Sequence, residues 1–188
     1  MPRLEDIAQE LLPETQNIPE DMREKAIRNA ARTLCQRTLV WRAEAEGMML
    51  PGIQEIELDL PRDAALLKAH YMTTKAGLLR PHADFSISGT ASLKLSLMPA
   101  AQERVTATVS LEPSLKASFL DDTLWDRWGD VILHGARYRL KSMHGREWFQ
   151  AQIALYHQQE FETGVGRAAH EALRAYKVSP VRTPGTFM

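Results

Sequence analysis

Arg104-Val-Thr-Ala-Thr-Val-Ser-Leu111 alternates polar and apolar residues without a break, and four of its eight positions are β-branched. A period of two places Val105, Ala107, Val109 and Leu111 on one face, as in a strand with one side in a core. Pro113 closes the run, since proline cannot donate to a sheet ladder. Working upstream, Ser92-Leu-Lys-Leu-Ser-Leu97 alternates as strictly and stops short of Pro99. Ile53-Gln-Glu-Ile-Glu-Leu-Asp-Leu60 alternates from Ile56 onward and ends at Pro61, and Leu66 to Thr73 reads as a partner strand. Strands that follow one another through short connections predict an antiparallel sheet rather than βαβ units. This β-region covers about residues 48–113, and the irregular stretch Gly77–Gly89 within it reads as a loop that reaches a neighbour.

Both flanks change to a helical period. Residues 4–12 read as a short helix stopped by Pro13, and residues 13–19 (PETQNIP) as a linker. From about Glu20 to Ala45, Met22, Ala26, Ile27, Ala30, Leu34, Thr38 and Trp41 fall on one face, with Lys25, Arg28, Arg32 and Gln36 opposite. That pattern predicts an amphipathic helix ended by Gly47. Beyond the β-region, Asp121 is a good N-cap for a helix over 121–143, whose buried stripe is Leu124, Trp125, Trp128, Val131, Ile132, Gly135 and Ala136. Its outer face carries Asp122, Asp126 and Asp130 early and Arg137 and Lys141 late, which complements the helix dipole, and Gly145 stands where a C′ glycine belongs. A last helix is predicted over 147–176. The tail from Lys177 to Met188 contains Pro180, Pro184 and Gly185 and reads as extended. The fold class is α+β: a bundle of three to four helices with an inserted antiparallel β-domain and an extended C-terminal tail, in one domain over 1–188.

The composition suits that reading. A chain of 188 residues accommodates one domain with its own core. Apolar residues at 44% and charged residues at 25% argue against wholesale disorder, and a net charge of −1 is not that of a nucleic-acid binder. Charge is uneven locally: residues 1–20 hold five acids against Arg3, whereas Arg23, Lys25, Arg28, Arg32, Arg37 and Arg42 follow. One cysteine, Cys35, leaves no internal disulfide. The opening MPRLEDIAQELLPE lacks an apolar signal region, and no run approaches the ~20 apolar residues of a membrane span. The expectation is a soluble protein, intracellular when made.

The motifs with chemical meaning reduce to structural ones. Gly164-Val-Gly-Arg-Ala-Ala169 fits G-x-G-x-x-A, but dinucleotide binding needs a preceding strand, and these glycines interrupt a helical pattern. A close packing contact or a hinge accounts for them. Six histidines, at 70, 82, 134, 144, 157 and 170, include no i, i+4 pair, and one cysteine cannot build a thiolate site. Cys35 reads as a half-buried structural residue, and Trp41, Trp125, Trp128 and Trp148 as core anchors. The basic face Lys25, Arg28 and Arg32 has no interleaved aromatics, so intersubunit ion pairs or a solvated face are expected there in place of nucleic acid. No catalytic residue, cofactor or metal is assigned, and the chain is read as no enzyme.

Three stretches, in order, carry a resemblance. In Ile18 to Arg42, Ala31, Leu34, Cys35, Thr38 and Trp41 fit a helix ending A-x-x-F-C-x-x-[ST]-x-x-W, with Leu34 in the aromatic place. Ile56-Glu-Leu-Asp-Leu-Pro61 is similar to a strand end Y-x-L-x-L-P, with Ile56 for the tyrosine. Gly135-Ala136 and Leu140, then Trp148, Ala154, Tyr156 and Phe161, look like G-A-x-x-x-L, a tryptophan, and a long helix with A-x-Y and F. Together they resemble the head-to-tail adaptors (connectors) of short-tailed phages, the group that includes tail tubular protein A.

The resemblance implies helices packed beside an antiparallel β-domain. It implies a virion protein of the neck, assembled in the host cytoplasm. Its partners would be the portal protein, the tail nozzle or tube protein and further copies of itself in a dodecameric ring, with tail fibres in some members. DNA passes through the lumen without sequence-specific binding, and no membrane is involved. A closed ring needs two different complementary surfaces on each subunit. The opposed charges of 1–20 and 23–42, with Lys25, Arg28 and Arg32 as intersubunit residues, offer one. The tail offers a portal-binding element: Pro180 and Pro184 favour an extended chain, Val178, Val181 and Phe187 are apolar anchors, and Lys177 and Arg182 carry charge. Other head-completion or tail-terminator components share this architecture, and a small DNA-associated protein is the alternative from another class.

Overall fold

The strand that contains Arg104–Leu111 lies inside the sheet, third of seven, with a neighbour on each side. In a computed structural model, which describes residues 1–175, five helices and seven strands follow one another as α1 (Leu4–Glu10), α2 (Leu12–Thr15), α3 (Glu20–Thr38), β1 (Arg42–Met49), β2 (Glu55–Asp59), β3 (Ala64–Thr74), β4 (Gly77–Leu79), β5 (Phe85–Ile87), β6 (Ser92–Leu95), β7 (Glu103–Pro113), α4 (Asp122–Lys141) and α5 (Ala151–Ala175). All strand pairs are antiparallel, in the order β4-β3-β7-β1-β2-β6-β5, and the sheet curls until it is nearly closed. Val105, Ala107, Val109 and Leu111 point inward, as their period requires, and meet Ile56, Met72, Phe85 and Leu93. Every strand thus lies between α3 and α4 in the chain.

The helices cover one end of this sheet. α3 packs on α1, α4, α5 and β7, and α4 packs along α5. One apolar cluster runs from Leu4, Ile7 and Leu11 through Ile27, Leu34, Ile132 and Leu140 into the sheet. The outer residues of β7 change character where α3 lies on them: Thr106 and Thr108 are half-buried, whereas Ser110 and Glu112 are buried.

Several boundaries differ from the sequence reading. The helix predicted to Ala45 ends at Thr38, where Leu39 turns left-handed (φ 54°) and donates its N–H to Cys35 O at 2.8 Å. Residues 42–49 instead form β1, paired with β7 from Arg42↔Ser110 to Met49↔Glu103. Ala43-Glu-Ala-Glu46 are good helix formers, but propensity is worth only tenths of a kcal/mol per residue, and a full ladder with Ala45 and Met49 buried outweighs it. Gly47 therefore ends no helix; a Cβ there would lie 2.8 Å from Ile56 Cγ2, so it admits β2.

Pro13 does not begin a linker but sits in the first turn of α2, where its missing N–H costs nothing. The expected loop Gly77–Gly89 contains β4 and β5, strands too short to show a period. α4 begins as predicted, with Asp121 accepting from the N–H groups of Thr123 and Leu124. Its cap is Ser142, so Gly145 (φ 75°) lies in the following turn. Leu66–Thr73, Ser92–Leu97 and Ile56–Leu60 are strands within one residue or two of their expected ends.

Candidate functional site

The far end of the sheet from the helices is apolar where turns are ordinarily polar. β1 carries the chain away from α3 over eight residues, roughly 25 Å, to the turn Leu50–Ile53. Gly52 takes the left-handed conformation there (φ 74°) and donates its N–H to Pro99 O at 3.1 Å, which ties this turn to the β6–β7 connection. Leu50 and Ile53 are exposed, Leu97 is 82% exposed and Met98 67%. Beside them Met49, Leu79, Leu95, Leu97, Met98 and Pro99 line a groove of about 360 Å³, with Asp84 and Glu103 among its polar walls. Contiguous exposed apolar residues of this kind mark interaction surfaces, and methionine adapts its shape to a partner. The sequence reading missed this surface, although Met48-Met-Leu-Pro-Gly52 and Leu97-Met-Pro-Ala-Ala101 place apolar side chains against turn prolines.

The basic face of α3 is not a solvated stripe. Arg28 Nε donates to Ala117 O at 2.8 Å. Arg32 Nη2 and Gln36 Nε2 each donate to a different oxygen of Glu112 at 2.6 Å, across the interface between α3 and β7. Arg32 and Glu112 keep only 19% and 11% of their side-chain surface, so this pair clamps the helix to the sheet. Lys25 alone of the three predicted residues is exposed, beside a groove with Met22, Ala26, Tyr138 and Met143. Of the early acids, Glu14 is engaged within the chain by Arg137 at 3.2 Å. Helix period showed the spacing of Arg28 and Arg32 but not that β7 would lie across that face.

Lys177, Val178, Pro180, Val181, Arg182, Pro184 and Phe187 lie outside the described residues. Trp41 and Trp128 are buried, and with Val40, Pro61, Leu124 and Ala172 they line a second groove, of about 430 Å³, at the junction of helices and sheet. The Arg127–Glu171 ion pair flanks it. Cys35 is fully buried, and burial pushes its thiol far above the ordinary range, which leaves it protonated and unreactive. Gly164 and Gly166 lie within α5, with no strand before them, and Gly164 makes the close contact expected: a Cβ there would lie 2.5 Å from Val131 Cγ2. Among the described residues no group of three or more His, Cys, Asp or Glu side chains is placed to hold a metal ion, and no helix is long and apolar enough to cross a membrane. Neither a protein-family model nor a curated protein matches the sequence.

Proposed function

We propose that this chain is a structural protein of a phage particle, a head-to-tail adaptor that forms a ring between the portal and the tail nozzle or tube and serves as a conduit for DNA. On this reading it catalyses nothing. The observation that carries the reading is the exposed apolar end of the sheet, Leu50, Ile53, Leu97 and Met98, held about 25 Å from the helical layer. A protein that docks different partners at its two ends needs a second surface remote from the first. In the proposed particle the β-end meets the tail nozzle or tube, and the tail, with Lys177, Val178, Pro180, Val181, Arg182, Pro184 and Phe187, meets the portal. The finer architecture, a bundle of three to four helices carrying an inserted β-domain, belongs to the same proposal.

The test is to mix the purified chain with portal rings and image the product. The adaptor reading requires a second ring stacked on the portal, from protein that is largely monomeric by itself at low micromolar concentration. A gel shift with DNA that weakens steeply with salt, without ring formation, would replace it with the DNA-associated reading.

A further inference from the structure

Three side chains that sequence spacing leaves unrelated meet on the helical side. His134 Nδ1 on α4 and His157 Nδ1 on α5 stand 2.9 Å apart. His157 Nε2 faces Glu14 Oε2 on α2 at 3.7 Å, and His157 keeps only 8% of its side-chain surface. Glu14 is held in turn by Arg137 Nε at 3.2 Å, and Lys141 Nζ donates to the Glu14 carbonyl at 2.8 Å. α2 lies between Leu11 and Ile18, both buried in the core, and these polar contacts join it to α4 and α5.

The geometry limits where the protons can sit. Two ring nitrogens at hydrogen-bond distance share one proton, as donor and acceptor. Glu14 Oε2, 3.7 Å from His157 Nε2, favours an N–H on that nitrogen, an arrangement with His157 Nδ1 as the acceptor and His134 Nδ1 as the donor. The one lone pair left in the chain is then His134 Nε2, on a half-buried ring. Around it stand Asp130 and Arg137 on α4, Glu160 on α5 and Glu14 on α2, with the Tyr156 ring edge-on to both imidazoles. The carboxylates draw a proton in and Arg137 opposes it. Burial holds both imidazoles below the ordinary histidine range.

We propose that Glu14, His157 and His134 form a proton-counting clasp across α2, α5 and α4, which accepts one proton and stays closed and which a second proton opens. The first proton binds His134 Nε2, and the Nδ1–H···Nδ1 bond becomes charge-assisted and tightens. The second can bind only at His157 Nδ1, where it replaces the acceptor by a donor and sets two cations face to face. The rings must then part. His134 adjoins Gly135, which packs on Phe161, so the parting loosens the α4–α5 seam beside that contact. The inference stands on this side-chain geometry and does not depend on the adaptor reading.

The experiment uses the full chain labelled with ¹⁵N, with long-range imidazole spectra recorded from pH 8 to pH 4. Hydrogen exchange of residues 151–161 is followed in parallel and corrected for intrinsic rates. The clasp requires His134 to carry its proton on Nδ1 at pH 8 and to titrate first, while His157 stays a neutral Nε2–H tautomer. Exchange in 151–161 should stay level through that first step and rise at least tenfold when His157 titrates. In H134Q the amide can donate to His157, or turn its oxygen toward a protonated one, so the acid rise should fall below threefold. Independent titration of the two rings, protonation of His157 first, or an equal acid rise in wild type and H134Q would each overturn the proposal. His70, on β3, is unchanged in H134Q, so the comparison with that variant separates the clasp from the acid sensitivity that His70 gives the whole fold.

Discussion

A methyl group on Gly135 would stand 2.8 Å from two carbons of the Phe161 ring and 2.9 Å from Ala30 Cβ, so this glycine is where α3, α4 and α5 converge. Gly164, on α5, makes the matching approach to Val131 on α4. The two small residues let helices with bulky stripes come together along one seam.

That seam predicts opposite signs for three glycines. Gly135→Leu should overpack and cost on the order of 1–3 kcal/mol or more. Gly164→Ala should also destabilise, because the clash with the stiff Val131 side chain outweighs the roughly 1 kcal/mol of helix propensity that alanine adds. Gly166 has open space around its missing Cβ, so Gly166→Ala should stabilise by about 0.5–1 kcal/mol. Urea melts of the three variants check this, and equal shifts for Gly164→Ala and Gly166→Ala would refute the contact.

Arg32 and Lys25 share a helix face by sequence but differ in surroundings. Arg32→Leu removes one of the two donors on the buried Glu112 carboxylate and should cost about 1–3 kcal/mol. Lys25→Leu, on an exposed site, should stay within about 0.5 kcal/mol. In Arg32→Leu with Glu112→Gln, much of the loss should return, since the stranded charge is gone. Chemical denaturation of the set, read as a double-mutant cycle, measures the coupling.

Acid sensitivity should trace partly to His70, which is hydrogen-bonded to Ser110 at 2.8 Å on the outer face of the sheet. Burial, with the charges of Arg42 and Lys68, brings its pKa down to about 4. The folded state therefore holds the proton less well than the unfolded state, with its ordinary value of 6.5. The stabilisation from this group is complete above pH 6.5, declines as pH falls toward 4, and changes no further below that. His70→Asn should flatten the stability–pH curve across that window, measured by urea melts at half-unit steps.

The two proposed docking ends can be separated. Leu97→Ser with Met98→Ser should leave the melting temperature unchanged, since both side chains are exposed. It should weaken binding of the tail nozzle or tube protein at least tenfold and leave portal binding intact. Deleting residues 178–188 should do the reverse, with an unchanged circular dichroism spectrum and melt. Wild-type portal binding by the truncated chain would move that interface elsewhere, most directly to the α3 region.

The sequence by itself determined the parts of this protein that depend on local geometry. The period of two in Arg104–Leu111, the cap at Asp121, the stripe from Leu124 to Ala136 and the small pair Gly135–Ala136 all follow from backbone repeats and from side-chain size. Each survives in the structure at nearly its expected place. The tertiary structure alone decided what depends on pairing between distant residues. Ala43 to Glu46 prefer a helix in isolation and became a strand because β7 offered them a ladder. Arg32, expected on an intersubunit or solvated face, pairs within the chain with Glu112, 80 residues away. His134 and His157 are separated by 23 residues, a spacing with no meaning on one helix, and meet only because α5 folds back along α4. The apolar end of the sheet emerged when two turns, each unremarkable alone, were joined by the Gly52–Pro99 hydrogen bond. Local preferences are worth tenths of a kcal/mol per residue, so wherever burial or ladder formation opposed them, the long-range contact prevailed.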